Sequence, residues 1–215
     1  MVEQYKIIYG DKEQVHSCEI SEKKSRFIAY IKKVETEQEA IKFIAEIKKK
    51  NYDASHNCSA FIVGKKKEII RSSDDSEPQG TAGKPILDVL MGSDLVDIVC
   101  VVTRYFGGQL LGKGGLCRAY SDATKAGLEQ TEKAVMCLGK RLEIHTDYNT
   151  VGKILYELTQ RGLNQEESKY EADVSIIVTL AIDEVDDFTQ KITEISAGKS
   201  LVDVLEETYF PKLEK

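Results

Sequence analysis

The stretch 101–120 concentrates the residue types best able to do chemistry. A β-branched run, Val101-Val102-Thr103, ends in Arg104, passes two glycine pairs and enters a helical pattern. Gly107, Gly108, Gly112, Gly114 and Gly115 fall within nine positions. Each costs backbone entropy that only a demanding local geometry justifies. Such a junction either holds an anion against backbone amides or lets strand and helix approach closely. With Lys113 and Arg118 beside them, amides at a helix N-terminus suit a phosphate. The candidate phosphate or nucleic-acid contacts are therefore Arg104, Gly107, Gly108, Gly112, Lys113, Gly114 and Arg118. In the alternative reading the glycines serve packing and the cations pair with an acidic loop upstream.

Gly107-x-x-x-x-Gly112-Lys113 fits the first part of a P-loop, between a strand and a helix as that motif requires. The next residue is Gly114, so the hydroxyl that would hold Mg²⁺ is missing. Nucleotide hydrolysis is accordingly disfavoured.

The acidic loop is Arg71-Ser72-Ser73-Asp74-Asp75-Ser76-Glu77-Pro78-Gln79-Gly80-Thr81-Ala82-Gly83. Its carboxylates, Asp74, Asp75 and Glu77, match no calcium-loop spacing. They read as caps for a turn or helix and as partners for Arg104 or Arg118; acid–base work on a small substrate is the competing reading. His56 and Cys58 form H-x-C on a strand, which puts both on one face. A base beside a nucleophile has that form, but packing residues have it more often, and no catalytic residue is assigned. The five cysteines are odd in number with no C-x-x-C pair, and the three histidines are scattered. No metal set, disulfide framework or cofactor is expected.

The elements that position these residues follow from periodicity. Residues 3–34 read as strands. Thr36-Glu37-Gln38-Glu39 has the form of a capping box, followed by Ala40, Phe43, Ile44 and Ile47 on one helical face. Segments 58–63 and 68–70 make a hairpin around Gly64-Lys65-Lys66-Lys67. Pro85 can open a helix carrying Ile86, Val89 and Leu90, closed by Gly92. Residues 95–102 read as a buried strand. The next helix turns Leu116, Tyr120, Ala123 and Gly127 inward and sets Arg118–Asp122 and Lys125–Glu129 as outer pairs. After about residue 139 the order is strand, helix, strand, strand, helix, strand, with the last strand at 201–205. That is the split βαβ, ferredoxin-like arrangement.

Residues 1–138 hold 21 Lys+Arg against 20 Asp+Glu, whereas 139–215 hold 9 against 16. The two parts present different surfaces, which favours two domains, 1–136 and 137–215. No apolar run reaches the roughly 18 residues of a membrane span. The N-terminus lacks a signal-peptide layout, so a cytoplasmic protein with no membrane partner is expected.

His56-Asn57-Cys58-Ser59-Ala60-Phe61, Arg71-Ser72-Ser73-Asp74-Asp75, Glu77-Pro78-Gln79-Gly80-Thr81-Ala82-Gly83-Lys84-Pro85-Ile86-Leu87, Val101-Val102-Thr103-Arg104-Tyr105-Phe106-Gly107-Gly108, Leu111-Gly112-Lys113-Gly114-Gly115-Leu116 and Arg118-Ala119-Tyr120 together resemble the IMPACT family. With an acidic second domain, the chain is similar to its bacterial two-domain members of the YigZ/YvyE type. The resemblance implies an α+β fold: an N-terminal domain like those of ribosomal proteins and elongation factors, with a left-handed βαβ crossover, and a C-terminal ferredoxin-like βαββαβ domain similar to the last domain of elongation factor G. Eukaryotic relatives regulate translation by binding a ribosome-associated activator of an initiation-factor kinase, a pathway that is not bacterial. The family's usual D-D-G-E-P reads Asp74-Asp75-Ser76-Glu77-Pro78 here. Ser76 lacks glycine's freedom at positive φ, which implies a different turn.

These observations point to a non-enzymatic cytosolic binding protein associated with RNA or the ribosome and with translation. An enzyme acting on a small phosphorylated or peptide substrate and a protein–protein module in translation are the alternatives.

Overall fold

The computed structural model describes residues 4–213, so Glu3, at the start of the expected strand region, lies outside them. The chain divides into two compact units, Tyr5–Val135 and Met136–Lys212.

In the first unit, β1 (Tyr5–Ile8), β2 (His16–Glu22) and β3 (Ser25–Lys33) precede α1 (Glu37–Lys50). Then come β4 (His56–Val63), β5 (Ile69–Ser73), α2 (Gly83–Gly92), β6 (Ile98–Tyr105) and α3 (Gly112–Leu128). The sheet order is β2-β3-β6-β4-β5, and every neighbouring pair is antiparallel. The β-branched run of β6 takes the centre, where both faces are buried and side chains alternate between two layers. Val99 and Val101 pack with Phe43 and Ile47 of α1, Phe61 of β4 and Tyr30 of β3. The opposite face, carrying Cys100, Val102 and Arg104, lies on the side of α2 and α3. There the Tyr120 ring meets Phe27 edge-on at 5.2 Å.

Local signals act as expected, with instructive departures. Thr36 caps α1 by accepting from the Glu39 amide, but Glu39 reaches back to the Glu35 amide rather than that of Thr36. It holds Lys12 as well, at 2.9 Å. The expected strand at 95–102 begins only at Ile98, because Asp97 adopts φ 55° and breaks the run. Leu95 instead bridges to Lys6, with the Val96 amide donating to the Lys6 carbonyl. The expected outer pairs Arg118–Asp122 and Lys125–Glu129 are both absent among the described residues, and Lys125 instead meets Asp122 in an exposed contact of 3.6 Å.

The second unit takes up β7 (Lys133–Thr146), which begins in the first. It continues through α4 (Val151–Gln160), β8 (Gln165–Tyr170), β9 (Val174–Ala181), a 3-10 turn, α5 (Val185–Ser196) and β10 (Leu201–Leu213). Here β7 pairs with β10 and with β9, and β9 with β8, in a five-stranded sheet that also takes in β1. That pairing and the βαββαβ succession make the unit ferredoxin-like. Its core joins Leu142, Ile144, Ile176 and Val178 of the sheet to Ile154 and Leu158 of α4 and Phe188 and Ile192 of α5. The last strand runs eight residues past the expected end at Leu205, through Pro211. A proline is tolerated there because, among the described residues, β10 pairs with β7 alone.

Candidate functional site

The register of β4 on β6 sets His56 directly opposite Arg104, and Cys58 opposite Val102. All four lie on the face toward α2 and α3. Arg104 closes the apolar run of β6 with its side chain only 6% exposed. Burying a guanidinium requires a partner, and the acidic loop supplies one. Arg104 Nη1 donates to Glu77 Oε1 at 2.6 Å, and the Glu77 side chain is 2% exposed. The same oxygen accepts from the Tyr120 hydroxyl at 2.8 Å and lies 3.7 Å from His56 Nε2. One carboxylate therefore gathers β4, β6 and α3. The Arg104 guanidinium also sits 5.5 Å from the ring centres of both Phe27 and Phe106, while its Nε is buried with no hydrogen-bond partner among the described residues.

The other two acids of the loop do different work. Asp74 accepts from the amides of Gly80 at 2.8 Å, Ala82 at 3.0 Å and Gly83 at 2.8 Å, capping α2. Burial opposes its charge, but these three amides outweigh it and hold the carboxyl below its ordinary value. Asp75 accepts from the Asn57 amide at 2.7 Å and pairs with Lys48. Despite the desolvation of its carboxylate, these partners hold it low too. The loop thus meets the glycine-rich stretch through Glu77 and Arg104. Arg118 takes no part.

His56 Nδ1 lies 2.9 Å from the Asp75 carbonyl, which can only accept, so Nδ1 carries the proton of that bond. Cys58 Sγ lies 3.0 Å from the Asp74 carbonyl and 3.4 Å from the Tyr120 hydroxyl. Burial pushes this thiol up to about 12, which leaves it a poor nucleophile at neutral pH. Burial likewise raises Tyr120, beside Cys58 and Glu77. Among the described residues no cluster of three or more His, Cys, Asp or Glu side chains is placed to hold a metal ion.

The glycines divide by role. A Cβ on Gly107 would meet the Lys24 carbonyl group at 2.0 Å, so its absence lets the loop cross the β2–β3 turn. Gly108 and Gly112 adopt φ 83° and 69°. Gly114, in the first turn of α3, faces open space. Lys113 and Arg118 are exposed on the first two turns of α3, and neither has an ion-pair or hydrogen-bond partner among the described residues. α3 also lacks a side-chain cap, and its first turn contains no acid.

Beside this junction opens a cleft of about 500 Å³, with Arg104, Glu77 and His56 in its wall and Lys113 and Gly112 at its edge. Phe106 and Leu110, 49% and 84% exposed, flank it. The sequence pattern assigns none of Phe106, Leu110 and Tyr120 to the site, and reads Tyr120 only as an inward-facing helix residue. The available signal was an apolar Leu110-Leu111 pair inside a glycine-rich loop, where no core exists to bury it.

Ser76 adopts φ 70°, and Asp75 φ 42°, so serine is held in the left-handed region that glycine occupies without cost.

Comparison with known proteins bears on the whole chain. A model of the Impact N-terminal domain matches residues 23–128, and a domain of unknown function, DUF1949, matches 144–199. IMPACT family member YvyE of Bacillus subtilis is 41% identical over 194 residues, covering 90% of this chain and 89% of that protein. IMPACT family member YigZ of Escherichia coli is 34% identical, covering 86% and 92%. A solved structure described as a hypothetical protein superposes with a TM-score of 0.59 at 31% identity, covering 96% of this chain and 99% of that one. Among the described residues no helix is long and apolar enough to cross a membrane. With these motifs and both domains in place, the chain belongs to the IMPACT family.

Proposed function

We propose that the chain is a non-enzymatic cytoplasmic protein that binds RNA, on or near the ribosome, in the regulation of translation. The observation that carries this reading is the pair Lys113 and Arg118. Both are exposed and unpaired among the described residues, on the first two turns of a helix whose amide end has no side-chain cap. Positive charge, free amides and a helix dipole there all favour phosphate. Arg104, buried against Glu77, acts beneath the surface, holding Phe106 and the loop in place. Phe106 offers an aromatic face of the kind on which single-stranded bases stack.

The test is fluorescence anisotropy with a short single-stranded RNA, joined to co-sedimentation with ribosomes. Two phosphate contacts on a single strand give a slope of about −1.4 in log affinity against log salt. Raising salt from about 50 to about 200 mM should therefore weaken binding roughly sevenfold. Lys113→Glu with Arg118→Glu should abolish it. Absent binding at low salt, or binding indifferent to salt and to both substitutions, overturns the reading; salt-indifferent capture would point to a protein partner instead.

A further inference from the structure

The geometry points to the cleft beside α3 as a site for one nucleotide unit, its base against Phe106 and its phosphate at Lys113 and the first turn of α3. This deepens the RNA reading where the unit belongs to a strand, and stands without it where the unit is a free nucleoside monophosphate.

Three features set the ligand chemistry. First, the cleft of about 500 Å³ lies within the range of small-molecule sites. Its walls include Phe106, Leu110, Leu111, Leu116 and Pro78, so the body of the ligand must be apolar or aromatic. Phe106 is half exposed, yet its ring is held by the Arg104 guanidinium at 5.5 Å, which fixes an aromatic face at the mouth.

Second, the polar groups left over are mainly donors. Lys113 has no partner among the described residues, and the α3 amide end has no side-chain cap. Arg104 Nε is a buried donor without a hydrogen bond in a side chain that lines the same cleft. The one carboxylate in the wall, Glu77, is already neutralised by Arg104. These donors are complementary to an anion.

Third, His56 lines the wall with Nδ1 committed to the Asp75 carbonyl and Nε2 3.7 Å from Glu77 Oε1, beyond hydrogen-bond distance, so Nε2 can accept from a polar edge of the ligand. An aromatic body with polar edges and one anionic group describes a nucleotide. A bare anion would leave the apolar wall unused, and an aliphatic acid would forgo stacking.

The experiment follows the backbone amides of residues 112–115 by NMR while the full chain is titrated with adenosine 5′-monophosphate, adenosine, inorganic phosphate and a short single-stranded RNA. Expected is saturable binding of the monophosphate, with adenosine and phosphate each weaker by about tenfold or more. Lys113→Gln should weaken the monophosphate about tenfold and leave adenosine unchanged. Phe106→Ala should weaken both about tenfold, and Phe106→Tyr should restore them, which separates stacking from loss of fold. RNA displaced by excess monophosphate identifies a strand as the source, while monophosphate binding without RNA binding identifies the free nucleotide and ends the RNA reading alone. No shift at residues 112–115 with monophosphate, phosphate binding as tightly as monophosphate, or RNA bound but not displaced by it overturns the assignment.

Discussion

Replacing Glu77 by glutamine removes one charge from a buried pair and almost no volume. The change leaves the Arg104 guanidinium, 6% exposed and already short of a partner at Nε, without a counterion. Breaking a buried pair from one side costs about 3–5 kcal/mol. The glutamine carbonyl can still accept from Tyr120, whose hydroxyl lies 2.8 Å from Glu77 Oε1, so the lower end applies, about 3 kcal/mol. With two units in the chain a single melting curve would mix two transitions. Native-state hydrogen exchange of the β4 and β6 amides isolates the first unit. Those that exchange by global opening should speed up more than a hundredfold, since about 1.4 kcal/mol is a factor of ten. Adding Arg104→Met should recover most of the loss, because the unpaired charge goes with it. A change in Glu77→Gln below about 1 kcal/mol, or a double variant no better than the single one, would refute the claim that this pair is the electrostatic centre of the junction.

Two further outcomes are expected. Ser76→Gly should stabilise the first unit by about 0.5 kcal/mol in the same exchange measurement, since relief at φ 70° slightly exceeds glycine's added freedom when unfolded. Asp74, held below its ordinary value of 3.8 in the folded chain, contributes stability above that pH and loses it as pH falls through the lower folded value. An acid titration followed by circular dichroism should therefore show a steeper decline below about pH 4 in wild type than in Asp74→Asn, which starts less stable at neutral pH.

Much of the architecture was legible in local pattern. The capping residue Thr36, the inner face of α3 and the strand–helix order of the second unit follow from spacing alone. The site was legible only in part, because it depends on which strands are neighbours. His56 and Arg104 are far apart in the chain, and only the antiparallel register of β4 on β6 places them opposite each other. The three acids looked alike in sequence. Their separate fates follow from the path of a turn with two successive residues at positive φ, Asp75 and Ser76, which no periodicity reports. Arg104 reads as a surface cation by residue type. It is buried because Glu77 folds under it, a tertiary event.

The acidic loop has the composition of a segment a protease would cut first: small, polar, and marked by proline and glycine. Its anchors argue otherwise. Asp74 is tied to the start of α2, Asp75 to Lys48 of α1 and Asn57 of β4, and Glu77 to β6 and α3. To lie extended in a protease active site the loop would have to release all of these together, which amounts to opening the unit. Cleavage there should follow the rare global unfolding of the domain rather than local fraying, so this loop ties the protein's resistance to degradation to the stability of its core.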